Sequence, residues 1–248
     1  MKNNNQRVEN AIESSPTWLK ESYIGFMRFI KKCLHALGLL KKLDKLATSS
    51  QRFHYLRSLL AIHQLDDMIQ LDVPWWTYQA ISEIEDYIKN LNYKPVVFEY
   101  GSGASTIWLA KRCDKVIAIE HDGLWYQKLK TKLSAFPDVS LSLQTPENKI
   151  DKYHSVKVPN ASFKTYVESI KTYESVFDII IIDGRCRSDC LETSLQYLKP
   201  GGIIVFDNSN RKRYQSALKN NNLLIQRFYG YVPGSPFKSE TAILRKQV

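Results

Sequence analysis

In the stretch KPVVFEYGSGASTIWLAKR, Lys94 to Arg112, an acid, Glu99, stands two residues before Gly101, and Gly103 follows. Glycines there let the chain bend sharply after a strand and approach a ligand with no Cβ in the way. Such a turn suits a nucleotide-like ligand, and nearby charge decides which. A dinucleotide fingerprint would read GxGxxG, but Thr106 holds the third position. A pyrophosphate gains nothing from a carboxylate beside it, whereas a cationic ligand is drawn to one. Glu99 therefore favours a positively charged ligand. Glu120, closing the next apolar run, is a residue type that accepts both hydroxyls of a ribose, a contact either kind of ligand needs.

A second group of polar residues follows two other apolar runs. Asp183 comes after FDIIII, and Asp207 and Asn208 come after GGIIVF. Ligands of open α/β sheets sit at the carboxyl ends of the strands, so these three side chains are expected to converge there. Oxygen ligands of this kind suit Mg²⁺. The run DGRCR, however, places Arg185 two residues after Asp183. A guanidinium opposes a metal and suits an anionic substrate group, so Mg²⁺ stays an alternative but is not the favoured reading. Arg187, Arg211, Lys212 and Arg213 add to a basic mouth. The segments DVPWWTY and GYVPGSPF are candidates to close over a substrate, with Trp76 as an aromatic wall.

The elements that must hold these residues are read from apolar patterning. Strands are predicted at Val96–Tyr100, Lys115–Glu120, Val139–Gln144, Phe177–Ile182, Gly202–Asp207, Leu223–Gly230 and Thr241–Arg245, with helices between the first six. Unbroken apolar runs suit strands buried on both faces, as in a parallel sheet covered by helices. The last two strands are linked only by GYVPGSPFKSE, so a hairpin is expected and the final strand should run antiparallel. The helix after the glycine turn is predicted to begin about Ser105 or Thr106, either able to cap it.

Ahead of the sheet, residues 1–71 are read as a helical extension and 72–248 as the main domain. Met1 to Ser15 is polar and Asn-rich, suiting a frayed end. Leu19, Tyr23, Phe26, Ile30, Cys33, Leu37 and Leu40 recur in steps of four and three, one stripe of a helix spanning 17–46. Nine Lys/Arg face two acids between Lys20 and Arg57, whereas Ser58 to Tyr93 carries Lys89 against six acids. The stripe suits docking on the chain's own domain, a homo-oligomer, or a peripheral contact with an anionic membrane. His54 and His63 suit core or solvated positions. Cys33, Cys113, Cys186 and Cys190 form no CxxC pair, which with no secretory signal fits a reducing cytoplasm. No apolar run approaches the roughly 18–20 residues a span needs.

VFEYGSGAST, VIAIEHD, FDIIIIDGR and LKPGGIIVFDNS together resemble the class I S-adenosylmethionine-dependent methyltransferases, from about Pro74 to the C-terminus. The resemblance implies a Rossmann-like α/β fold, a seven-stranded, mostly parallel sheet with an antiparallel last strand. It implies that Glu99, Gly101, Ser102 and Gly103 line the methionine end of S-adenosylmethionine and that Glu120 holds its ribose. His121 would lie against the adenine, with Gln144 and Thr145 near its amino group. Asp183 would stand beside the transferred methyl as the catalytic residue, with Arg185, Asp207, Asn208 and Trp76 on the substrate. The Asp-Asn pair is similar to that of catechol-type O-methyltransferases, but those carry a second acid where this chain has Arg185. The expected activity is methyl transfer to a small-molecule or glycan-type acceptor, at oxygen. The alternatives are a tRNA or rRNA methylase and a non-catalytic, membrane-associated binding protein with a vestigial cofactor pocket. Against nucleic acid, IDGR replaces the Asn/Asp-Pro-Pro-aromatic motif of base amino-group methylases.

Overall fold

The structure, a computed structural model, describes residues 17–61, 64–155, 158–174, 176–219 and 222–247. Met1 to Ser15, His63 and the side chain of Leu19 lie outside the described residues.

The first strands are β1 (Val96–Tyr100), β2 (Lys115–Glu120) and β3 (Val139–Leu143). A short pair, β4 (His154–Ser155) and β5 (Val158–Ser162), precedes β6 (Phe177–Ile182), β7 (Leu198–Asp207), β8 (Leu223–Tyr231) and β9 (Lys238–Lys246). The main sheet has seven strands in the order β3-β2-β1-β6-β7-β9-β8. β9 alone runs opposite to the other six strands of the sheet, and it pairs along the whole hairpin with β8. The order reverses between β1 and β6, each parallel to the other, so the ends of β1, β2, β6 and β7 face a common crevice.

Every residue of β6 is buried, as an unbroken apolar run requires when both faces are covered. Successive side chains point to opposite faces and build two cores. Val97, Ile179, Ile181 and Val205 pack on one side with Leu65, Met68, Ile84 and Trp108. Phe98, Tyr100, Ile180, Ile182 and Phe206 pack on the other with Tyr166, Leu191 and Leu218. Ala61, Leu65 and Met68 fall before residue 72, yet all three are fully buried in the first core.

The amino-terminal helices are α1 (Thr17–Ala36), α2 (Leu39–Ala47), α3 (Gln51–Leu59) and α4 (Leu65–Gln70). The 17–46 stretch is not one helix: Gly38, at φ 69°, breaks it. Its apolar stripe is not wholly inward either. Phe26 is 59% exposed and Leu37 70%, and Lys31 reaches inward instead to ion-pair with Asp67. Asp67 also accepts from Arg57 at 3.0 Å, and Arg57 reaches Asp44 at 2.6 Å, which ties α2, α3 and α4 together. His54 sits between the Tyr78 hydroxyl at 2.8 Å and the Leu71 carbonyl at 3.1 Å, a structural use. α5 (Tyr78–Asn90) starts as its sequence suggests, with the Thr77 hydroxyl accepting from the Ala80 amide.

The helices after the strands are α6 (Ala104–Ala110), α7 (Gly123–Leu133), α8 (Lys164–Glu168), α9 (Arg187–Ser194) and α10 (Gln215–Lys219). Between β3 and β6 the connection is the β4–β5 pair and the short α8, where a simple helix was expected. No described helix is long and apolar enough to cross a membrane.

Candidate active site

β1 delivers Glu99 and Tyr100 to the crevice, and the chain then turns at Gly101, whose φ of 89° is left-handed. A Cβ there would meet the backbone nitrogen of Gly184 at 2.8 Å, so the turns after β1 and β6 are packed backbone to backbone. At Gly184 a Cβ would fall 1.9 Å from the Tyr166 hydroxyl. Gly184 was not foreseen, because only the partner turn explains it.

α6 begins at Ala104, earlier than its sequence suggested, since Ser105 and Thr106 are engaged elsewhere. Ser105 donates to one oxygen of Glu99 at 2.5 Å and Thr106 to the other at 2.6 Å. Thr106 also accepts from the Gly103 amide at 2.9 Å. Glu99, expected to line the methionine end of the ligand as a negative charge, is instead completely buried under the turn. Burial pushes its carboxyl up to about 8, against the pull of the two hydroxyls. The protonated form therefore dominates at neutral pH, and the residue braces the turn through hydrogen bonds.

Glu120 at the end of β2 is the opposite case. One oxygen accepts from the amides of His121 at 2.7 Å and Asp122 at 2.9 Å, the other from the Ser102 amide at 3.1 Å and hydroxyl at 2.7 Å. Burial would raise it, but these bonds and His121 prevail and bring it down to about 2. His121 Nε2 accepts from Arg185 Nε at 3.0 Å, and its Nδ1 lies 2.9 Å from a Glu120 oxygen. Asp122 caps α7 by accepting from the Trp125 amide at 2.9 Å. The Trp125 indole then donates to the Ser102 carbonyl at 2.8 Å. Trp75 and Trp125 both approach Gly103, a pair that sequence reasoning missed. Gln144 extends the β2–β3 pairing through its amide to the Glu120 carbonyl at 2.7 Å, and Thr145 next to it is exposed.

Beyond the reversal, the ends of β6 and β7 line a cavity of about 380 Å³ with His121, Asp183, Arg185, Asn208, Arg211 and Arg213 in its wall. Asp183 is fixed by the Trp76 indole at 3.2 Å on one oxygen and by Arg187 at 2.7 Å on the other. Burial, and the Asp207 carboxylate beside it, push Asp183 up to about 7 against the pull of Arg187. Arg187 also reaches Asp207 at 3.4 Å and donates to the Gly184 and Asp183 carbonyls. The position between the two carboxylates, where a divalent cation would sit, is thus held by a guanidinium, so these residues do not fit Mg²⁺. Sequence reasoning assigned that opposition to Arg185. Arg187 is the residue that performs it, and its spacing of four from Asp183 was the available signal.

Two expected substrate contacts are placed differently. Trp76 is fully buried, edge-on to Trp108 at 5.9 Å, and is no open wall. Asp207 is 4% exposed, and its other oxygen accepts from Thr241 at 2.9 Å, which ties β7 to β9. Asn208 does line the cavity, at φ 52°, with Nδ2 on the Ser239 hydroxyl at 3.2 Å. Cys186, at φ 46°, lines it too. Such left-handed non-glycine residues concentrate at functional sites. DVPWWTY and GYVPGSPF do meet, since a Cβ on Gly234 would lie 3.1 Å from the Trp75 indole nitrogen. Tyr55 and Ser58 of α3 hold the second segment through the Ser235 carbonyl at 3.0 Å and the Gly234 amide at 3.0 Å.

Residues 98–209 match a family model described as a methyltransferase domain. With the strand order above, this makes the chain similar to the class I S-adenosylmethionine-dependent methyltransferases over those residues. Among solved structures, a methyltransferase-like protein of Silicibacter pomeroyi is similar at 20% identity over 66% of this chain and 85% of that one, TM-score 0.46. An S-adenosylmethionine-dependent O-methyltransferase of Thermotoga maritima is 14% identical over 74% and 71% of the two chains, TM-score 0.49. An rRNA methylase of Streptococcus thermophilus is 14% identical over 67% and 96%, TM-score 0.46. No curated protein matches the sequence.

Proposed function

We propose that this methyltransferase modifies a hydroxyl oxygen of a small or glycan-type acceptor that carries an anionic group. The observation that carries this reading is Asp183, fixed from two sides in the wall of a cavity that also presents Arg185, Arg211 and Arg213. A volume near 380 Å³ suits a small molecule or a sugar unit. The guanidinium groups suit a phosphate or carboxylate on it.

On this reading the turn Gly101–Gly103, with Ser102 and Trp125 around it, accommodates one end of S-adenosylmethionine. Glu120 takes the ribose, where the Ser102 hydroxyl is the neutral donor that can give way. His121 and Thr145 lie along the adenine. S-adenosylmethionine, when bound, supplies an electrophilic methyl group. Asp183 accepts the acceptor's hydroxyl proton as the oxygen is alkylated, and a carboxyl near neutrality is matched to that task. Trp76 and Arg187 hold its carboxylate in place, and the cavity wall orients the acceptor.

Labelled S-adenosylmethionine offered with a panel of hydroxylated acids, sugar phosphates, uronates and neutral phenols tests this, with bulk RNA as the competitor. Transfer to anionic hydroxylated members, rising as pH passes about 7 where Asp183 deprotonates, is the expected outcome. Label in RNA and in no panel member would overturn it.

A further inference from the structure

We infer that α1 and α2 form a surface that docks on an anionic lipid bilayer. The surface is unusual for a folded chain. Trp18 is 64% exposed, Phe26 59%, Phe29 63%, Leu37 70%, Leu39 41% and Leu46 44%. Bulky apolar groups are rarely grouped on open surface without a binding role. On α1, Trp18 and Phe29 lie eleven residues apart, about three turns, so they share one strip with Phe26 beside it.

Charge decides the occupant. Arg28, Lys32 and His35 run along the edge of that aromatic strip at spacings of four and three. They also line a cleft of about 440 Å³ with Leu40 and Gln64, of a size for a lipid headgroup. Lys41, Lys42 and Lys45 extend the basic edge onto the exposed side of α2. Between Thr17 and Ala47 the acids are Glu21 and Asp44, and Asp44 is already paired with Arg57. Among the described residues no acid ion-pairs with Arg28, Lys32, Lys41, Lys42 or Lys45, whereas Lys31 turns inward to Asp67.

A second copy packed on this face would set these cations against their own counterparts, which repels. An anionic bilayer answers both features at once, since aromatic groups enter the headgroup region while lysines and arginines meet lipid phosphates. The helix pair would lie on the surface, as no described helix can span it.

Flotation of the full chain with vesicles of phosphatidylcholine alone, and with a third of it replaced by phosphatidylglycerol, tests the inference. Binding to the anionic vesicles, weakened by salt and absent on neutral ones, is expected. Arg28→Gln/Lys32→Gln should lower partitioning by about 30-fold, at the contribution usual for two basic residues near such a surface. Phe26→Ser/Phe29→Ser should lower it by at least about tenfold through lost apolar burial. Both pairs are exposed, so unfolding temperature and S-adenosylhomocysteine affinity should not move. No flotation with anionic vesicles, or equal flotation with both compositions, would overturn the proposal. So would a dimer in solution that Phe26→Ser/Phe29→Ser dissolves, which would assign the face to a second copy.

Discussion

The two halves of the crevice handle buried carboxylates in opposite ways. At the ends of β1 and β2, Glu99 and Glu120 are surrounded by neutral donors, hydroxyls and backbone amides. At the ends of β6 and β7, Asp183 and Asp207 share one guanidinium, Arg187. Within the first half the two acids also part company. Two hydroxyls do not offset the burial of Glu99, which rises to about 8, while four donors and His121 hold Glu120 near 2. Burial alone therefore does not set the charge of the crevice; the number and orientation of donors does. On the proposed reading, negative charge for a cationic ligand comes from Glu120, and a proton acceptor comes from Asp183.

The sharpest way to break this contrast is at Asp183. Asp183→Asn keeps the shape and the Trp76 contact but removes the proposed proton acceptor, so turnover should fall by about 10²–10⁴-fold. Affinity for S-adenosylhomocysteine should stay nearly unchanged, and a parallel loss of both would assign Asp183 to the ligand instead. Next in size is Arg187→Leu, which leaves two buried carboxylates without their counter-charge. Unfolding in urea should show a loss of about 3–5 kcal/mol, much of it recovered when Asp207→Asn is added. A single variant as stable as the wild type would mean that the guanidinium does not hold the second half together.

Gly184→Ala tests whether the halves are packed against each other. Its Cβ would fall 1.9 Å from the Tyr166 hydroxyl, and overpacking of this kind costs about 1–3 kcal/mol. Adding Tyr166→Phe should restore part of the loss. The smallest effect is a pH slope. Glu99 has a folded-state pKa of about 8, above its ordinary value of 4.5. The native chain thus holds a proton the unfolded chain has lost, so this contribution is full below 4.5 and is lost as pH rises through about 8. Glu99→Gln should flatten the fall in unfolding temperature across that window, and an unchanged slope would show that Glu99 is ionised in the folded state.

These contrasts mark how far the sequence could be read. The strands were legible because FDIIII and GGIIVF are short, β-branched apolar runs that suit a strand covered on both faces, and the hairpin followed from the short link before β9. The β4–β5 pair was not, since HS and VPNAS carry no alternation to see. The break at Gly38 was hidden because the apolar stripe continues across it in register. Glu120, Asp183 and Asn208 were legible as strand-end polar residues. Their neighbours were not: Trp75 and Trp76 point differently, and the left-handed Cys186 decides that Arg187, not Arg185, meets the carboxylates. Adjacent residues of one type differ only in direction, and composition carries no direction.

The most direct test of the account is calorimetric titration of S-adenosylhomocysteine into the intact chain and into Glu120→Ala. Saturable uptake by the first, weakened by an order of magnitude or more (about 1.4 kcal/mol per tenfold) in the second, is the expected result. No uptake by the intact chain, or uptake of a nicotinamide dinucleotide in its place, would contradict it.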